Sequence, residues 1–213
     1  MNLAFRGFCI ALFAVLAFLG NPQSAAAQGD GWGLTVGAAS SELDGDYVAR
    51  RGDAEWGFTG GVYGERRLAG NLAVYLGVEY AKRGGKAVTG SLSQLSPLDI
   101  DTDYVGIPFL LEVLLPLGST WDLVAYGGIA ANINVKCRAA FAGGDKQSCK
   151  DTELGGPKTA WSLPAGGGLS YRVGESDAVV FEARYSWGLS DIVADQQLRQ
   201  RGWNLQVRLA RTM

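Results

Sequence analysis

The sequence contains no histidine. That removes His-based acid–base chemistry, Ser–His and Cys–His nucleophile pairs and most transition-metal sites in one step. Accordingly, no catalytic, cofactor-binding or metal-binding residue is assigned. Cysteine is scarce, with three residues at Cys9, Cys137 and Cys149. Charge of one sign is also lacking: 19 basic residues face 21 acidic ones, which argues against nucleic acid as a partner. Long apolar runs are missing except near the N-terminus, so no later segment can cross a bilayer as a helix. A chain of this kind could span a membrane only by closing strands into a barrel, the other way to satisfy every backbone polar group in lipid.

The one apolar run reads as a secretory leader. Arg6 supplies its positive start, Phe8 to Leu19 its apolar centre, and Ala25-Ala26-Ala27 a small-residue cleavage site before Gln28. Residues 1–27 are therefore expected to be a cleaved signal peptide and residues 28–213 a single exported domain. Cys9 leaves with the leader, and no lipobox surrounds it. In an oxidising compartment the remaining pair, Cys137 and Cys149, is expected to form a loop disulfide; a zinc site would need further ligands, and no histidine is at hand.

What the chain does have is alternation. From Val179 to Leu189, one face carries Val179, Phe181, Ala183, Tyr185, Trp187 and Leu189, and the other Glu182, Arg184, Ser186 and Gly188. An apolar face ending in aromatics, opposite a small and ionised one, suits a strand with lipid outside and a crowded polar lumen inside. The pattern recurs at Trp32–Ala39, Trp56–Arg66, Leu72–Tyr80, Asp103–Val113, Trp121–Val135, Trp161–Val173 and Trp203–Leu209. In Trp121–Val135 small residues on both sides leave the facing open, and Pro108 is unusual within a strand.

The connections alternate in length. Short ones fall at Leu68–Asn71, Pro116–Thr120 and Gly174–Asp177; long ones cover Ser41–Ala54, Arg83–Asp101, Lys136–Lys158 and Asp191–Arg201. The predicted fold is thus all-β: an eight-stranded antiparallel up-and-down transmembrane β-barrel with short periplasmic turns and long extracellular loops.

Four stretches carry a resemblance: Gly57-Phe58-Thr59-Gly60-Gly61-Val62-Tyr63-Gly64-Glu65, Val78-Glu79-Tyr80-Ala81-Lys82-Arg83-Gly84, Tyr104-Val105-Gly106-Ile107-Pro108-Phe109-Leu110-Leu111-Glu112 and Ala183-Arg184-Tyr185-Ser186-Trp187-Gly188-Leu189. Their order and spacing resemble the small outer-membrane β-barrels of Gram-negative bacteria that include PorT-like proteins, and more distantly the OmpA transmembrane domain. Proteins of that kind accept proline at the position of Pro108. The resemblance implies residence in the outer membrane among its lipids, and handling by the outer-membrane assembly machinery during biogenesis. Such barrels often end on an aromatic residue; this chain ends Leu209-Ala210-Arg211-Thr212-Met213.

With the apolar face outward, Glu65, Glu79, Glu112 and Glu182 point inward with Arg172, Arg184 and Arg208. A buried charge persists only when paired, and an eight-stranded barrel is just wide enough to be filled by side chains. The set is expected to form a structural plug rather than line a pore. Trp32, Trp56, Tyr80, Tyr104, Trp121, Trp161, Trp187 and Trp203 lie near strand ends and are expected to form interfacial girdles. Weaker motifs carry little. Arg51-Gly52-Asp53 is an integrin-like tripeptide in a chain rich in all three residues. Asp99, Asp101 and Asp103 lack the glycine and closing glutamate of a calcium loop. Gly155-Gly156-Pro157-Lys158-Thr159 lacks phosphate-loop spacing. The leading expectation is a non-enzymatic outer-membrane barrel with a structural or cell-surface interaction role, its loops free to meet an extracellular ligand. The alternatives are a barrel enzyme acting on lipid or peptide, and a soluble lipocalin-like carrier with its apolar face turned inward.

Overall fold

A computed structural model describes residues 30–44, 48–91, 94–141, 144–149, 159–190 and 199–212. The expected leader 1–27, Met213 and the Gly155–Lys158 stretch lie outside the described residues. Among the described residues nine strands follow one another: β1 (Gly31–Asp44), β2 (Val48–Ala69), β3 (Leu72–Ser91), β4 (Gln94–Pro116), β5 (Trp121–Phe141), β6 (Gln147–Ser148), β7 (Thr159–Arg172), β8 (Asp177–Gly188) and β9 (Arg199–Thr212). β6 is two residues long and pairs only with Arg138 and Ala139 of β5. The other eight form a closed antiparallel barrel, because β4 pairs with β5 and β1 pairs with β9.

The barrel has two unlike ends. At one, β2–β3, β4–β5 and β7–β8 are joined by short turns containing Gly70 (φ 52°), Gly118 (φ 125°) and Gly174 (φ 138°). Residues with a Cβ rarely adopt this backbone region, so the three turn signals in the sequence are backbone requirements. Both barrel termini, Gly31 and Thr212, meet at this end. In transmembrane barrels this is the periplasmic end.

The opposite end departs from expectation in detail. Ser41–Ala54 and Arg83–Asp101 read as loops, yet β1 runs on to Asp44, β2 begins at Val48, β3 continues through Ser91 and β4 starts at Gln94. The first two long extracellular connections are largely extended hairpins. Above the membrane the outward face meets water, so apolar alternation stops while the hydrogen-bonded ladder continues, with register shifts in β2–β3. The Ser41 hydroxyl ties β1 to β3 here, accepting from the Gly84 amide at 3.0 Å.

Facing follows the alternation. Leu34, Val36, Phe58, Val62, Leu76, Val78, Phe109, Phe181, Leu205 and Leu209 are exposed on the outer wall. Phe181 and Trp187 are 54% and 48% exposed whereas Glu182 and Arg184 are buried, which overturns the lipocalin alternative. The undecided strand β5 turns Asp122, Val124, Tyr126, Ala130 and Asn132 inward. Pro108 also faces inward. It pairs with Ala130 of β5, but the β3–β4 pairing skips from Leu76–Phe109 to Glu79–Gly106 in the same register, leaving the ladder open beside it. Pro164 in β7 does the same between Gly127–Ala165 and Ala130–Ser162. The missing proline N–H interrupts one ladder at each place without shifting its register.

Candidate functional site

Inside the barrel, side chains stack in layers. Nearest the short turns lies an apolar and aromatic layer of Tyr63, Ala73, Tyr75, Leu110, Leu114, Val124, Tyr126 and Val180. Tyr63 and Tyr75 stack with ring centroids 4.7 Å apart. Glycine creates that space: a Cβ on Gly33 would lie 2.6 Å from the Tyr63 hydroxyl.

The charged layer rests on these rings. Arg184 Nη1 donates to both oxygens of Glu79 at 2.9 Å, and its Nη2 donates to Glu182 Oε1 at 3.2 Å. Arg208 Nη1 donates to Glu112 Oε1 at 2.9 Å, and its Nε lies 2.9 Å from Glu182 Oε2. Glu182 therefore bridges both guanidinium groups. The Tyr75 hydroxyl donates to Glu79 at 2.7 Å. Each arginine also lies over aromatic faces: Arg184 over Tyr75 and Tyr126 at 5.7 and 5.4 Å, Arg208 over Tyr63 and Tyr75 at 5.3 Å. Both arginine side chains are only 2% exposed. Toward the long hairpins, Asn132 donates to Ser162 at 2.9 Å and Gln206 to Thr59 at 3.3 Å.

Among the described residues, small cavities border this packed layer on both sides. Above the charged layer a cavity of about 20 Å³ is bordered by Glu79, Tyr104 and Arg184, and below it one of about 30 Å³ by Tyr63, Glu65 and Arg208. Each has room for about one water.

The expected lumen set thus divides. Glu79, Glu112, Glu182, Arg184 and Arg208 come together. Glu65 borders the lower cavity beside Arg208 without an ion pair within 4 Å among the described residues. Arg172 is a correction: it is bound by both oxygens of Asp122, at 2.9 and 3.2 Å, on the rim next to the short turns. Its position late in β7 carries it past the central layer. Sequence reasoning missed Asp122, which sits one residue into β5 beside a turn. It also missed Tyr126, which lay in the strand of undecided facing.

The girdle needs one correction as well. Seven of its eight aromatics are exposed, from Tyr80 at 38% to Trp56 at 61%, but Tyr104 is buried in the lumen at 4%. Tyr104 follows the inward parity of Gly106, Pro108 and Leu110. On the outer wall Tyr185 sits edge-on to Trp187 and Trp203 at 4.6 and 4.9 Å.

Beyond the membrane, Cys137 and Cys149 are joined in a disulfide with Cα atoms 5.4 Å apart. The loop they close returns Lys146 to β4, where its ammonium lies 3.0 Å from Asp99 and from Asp101. Burial is the largest single influence on Lys146 and lowers its pKa, but the hydrogen bonds to Asp101 and Asp99 and their charges together outweigh it and hold the group above its ordinary value. Glu55 joins the same carboxylate cluster, all ligand atoms within 4.8 Å, and lies 3.4 Å from Lys86. Each of the three acids thus already has a lysine ammonium within 3.4 Å. Arg51-Gly52-Asp53 falls on the outer extension of β2.

A polar, side-chain-filled lumen, an apolar outer wall and hairpins that are long at one end only define the class: an integral transmembrane β-barrel. The family described as outer membrane protein beta-barrel domain matches residues 11–210, and the chain belongs to it. The protein resides in the outer membrane of a Gram-negative bacterium, among its lipids. Comparison with curated proteins gave no match. Among solved structures, Neisserial surface protein A is similar at 16% identity, covering 85% of this chain and 97% of that one, with a TM-score of 0.48. Ail of Yersinia pestis, crystallised with the heparin analogue sucrose octasulfate, is 16% identical over 85% of this chain and 99% of that one, with a TM-score of 0.44. OprG from Pseudomonas aeruginosa is 14% identical over 87% and 97%, with a TM-score of 0.42.

Proposed function

We propose that the protein is a non-enzymatic outer-membrane barrel whose lumen is sealed and whose extracellular hairpins present a contact surface for a partner or ligand outside the cell. The observation that carries this reading is the lumen layer of Arg184, Arg208, Glu79, Glu112 and Glu182, bordered among the described residues by cavities of about 20 and 30 Å³. A hydrated ion needs a continuous aqueous path, and a barrel of this width filled by paired charges supplies none. The hairpins, extended by paired strands and braced by the disulfide and Lys146, are rigid enough to hold a recognition surface in place. Planar-bilayer recording on the folded protein is the test: a flat baseline is expected, and stable, large conductance steps would overturn the sealed lumen.

The same reading includes export through a signal peptide over residues 1–27, tested by N-terminal sequencing of the mature protein, which should begin at Gln28. It includes insertion by the outer-membrane assembly machinery. A narrower kinship with PorT-like barrels, and more distantly with the OmpA transmembrane domain, is supported by the four stretches that prompted it. The enzyme alternative lacks a histidine, and no constellation among the described residues favours it. Turnover of labelled lipopolysaccharide or peptide by the pure barrel would revive it.

A further inference from the structure

On the outer wall of β3, β4 and β5 the apolar face ends along a sharp line. Its last rung is Tyr80, Val105 and Ile133, aligned across the three strands. The next rung is Lys82, Asp103 and Lys136, and the one above it Gly84, Asp101 and Arg138. Between them lies a recess of about 240 Å³ lined by Tyr80, Lys82, Asp101, Asp103, Lys136 and Arg138.

The height of this recess follows from strand geometry. Lys82 lies ten residues along β3 from Leu72, at the short-turn end. That is ~33 Å along the strand and ~25 Å along the membrane normal at ordinary barrel tilt, the thickness of the apolar band. The recess therefore sits where acyl chains give way to headgroups, in the leaflet facing outward.

A β-bulge aims its key cation. The β4–β5 register passes from Tyr104–Asn134 to Asp103–Lys136, so Val135 is an extra residue. Val135 and Lys136 are both exposed in consequence; under strict alternation Lys136 would share the inward side of Asn132 and Asn134. Of the two acids in the recess, Asp101 is already engaged by cations. Asp101 lies 3.0 Å from Lys146 and 4.0 Å from Arg138, and the Tyr80 ring borders the same recess as Asp103. Lys82 and Lys136 make no ion pair within 4 Å among the described residues. They are left as exposed cations on a wall whose lower part is apolar.

We propose that this recess binds the phosphorylated sugar headgroup of an outer-leaflet glycolipid of the lipid A class. Lys82 and Lys136 hold a phosphate, Tyr80 packs against the sugar, and the acyl chains lie along Val78, Val105, Ile107 and Ile133. The disulfide at Cys137 and the Lys146 contacts keep the upper rung in place, and Lys146 pairs with Asp101, the carboxylate of that rung. This site lies on the lipid-facing wall and is separate from both the lumen and the hairpin tips.

The test is native mass spectrometry of the folded barrel in detergent, titrated with diphosphorylated lipid A, with the same lipid stripped of its phosphates, and with inorganic phosphate. Two surface lysines predict about thirtyfold weaker binding of the diphosphorylated lipid by Lys82→Gln/Lys136→Gln. Lys82→Arg/Lys136→Arg should retain binding, and the phosphate-free lipid should bind the wild type and the glutamine variant equally weakly. Unchanged affinity in the glutamine variant, or an equal loss for the phosphate-free lipid, would overturn the proposal. Inorganic phosphate binding as tightly as the lipid would overturn it too, assigning a simple anion site. If the variant fails to fold, wild-type affinities for the two lipids decide alone: equal values refute the site.

Discussion

Replacing Arg184 with methionine isolates what the lumen charges contribute. The guanidinium contacts both Glu79 oxygens at 2.9 Å and Glu182 at 3.2 Å, with the carboxylate side chains 7% and 0% exposed. Methionine keeps most of the volume against Tyr75 and Tyr126 but strands Glu79 without its cation. Removing one member of a buried pair typically costs about 3–5 kcal/mol, because the remaining charge stays desolvated. The folding equilibrium should therefore fall by roughly two to three and a half powers of ten. Urea unfolding in phospholipid vesicles, followed by tryptophan fluorescence and by migration of unheated samples on gels, reads this directly. Arg172→Met is the internal control. Its pair with Asp122 sits on the rim with 29% of the arginine side chain exposed, so about 1 kcal/mol or less is expected. Adding Glu79→Gln to Arg184→Met removes the stranded charge and should recover about 0.5–3 kcal/mol. Equal losses for Arg184→Met and Arg172→Met, or no recovery in the double variant, would refute the assignment of Arg184 to a desolvated network.

Other perturbations probe the wall, the glycine contacts and the hairpins. Phe181→Arg places a cation on the lipid face near mid-membrane and should destabilise the barrel by about 2–4 kcal/mol in the same unfolding assay; no effect would mean that Phe181 does not face acyl chains. Gly33→Val puts a side chain into the Tyr63 ring and the Leu209 carbonyl. Folding yield in vesicles should collapse, and Gly33→Val/Tyr63→Ala should recover only part of it because the backbone clash remains. Cys137→Ser/Cys149→Ser removes about 3 kcal/mol of loop-closure restraint. The barrel should keep its folded gel mobility while protease cuts between residues 137 and 149 accelerate, and loss of the folded band would contradict a purely local role.

Much of the architecture was legible because a strand with lipid on one side and protein on the other writes a period of two into the sequence. Leu72 to Tyr80 and Val179 to Leu189 show it without ambiguity, and the turn glycines Gly70, Gly118 and Gly174 mark where the chain reverses. The pattern faded where its cause did. Above the membrane both strand faces are polar, so β2 and β4 looked like loops at Val48–Ala54 and Gln94–Asp101 although the ladder persists. In β5 alanine and glycine fill both faces, and Tyr126 could not be placed.

Sequence alone determined the sidedness of every barrel strand except β5, the closed barrel and the inward charges, since each follows from local alternation and from the need to pair every backbone group in lipid. Which charge meets which was decided only by the tertiary structure. Barrel closure sets the heights of residues far apart in the chain, bringing Arg184 to Glu79 and Arg208 to Glu112 while carrying Arg172 down to Asp122. The outward turn of Lys136 likewise depends on one extra residue in a ladder, and that register exists only once two strands are paired.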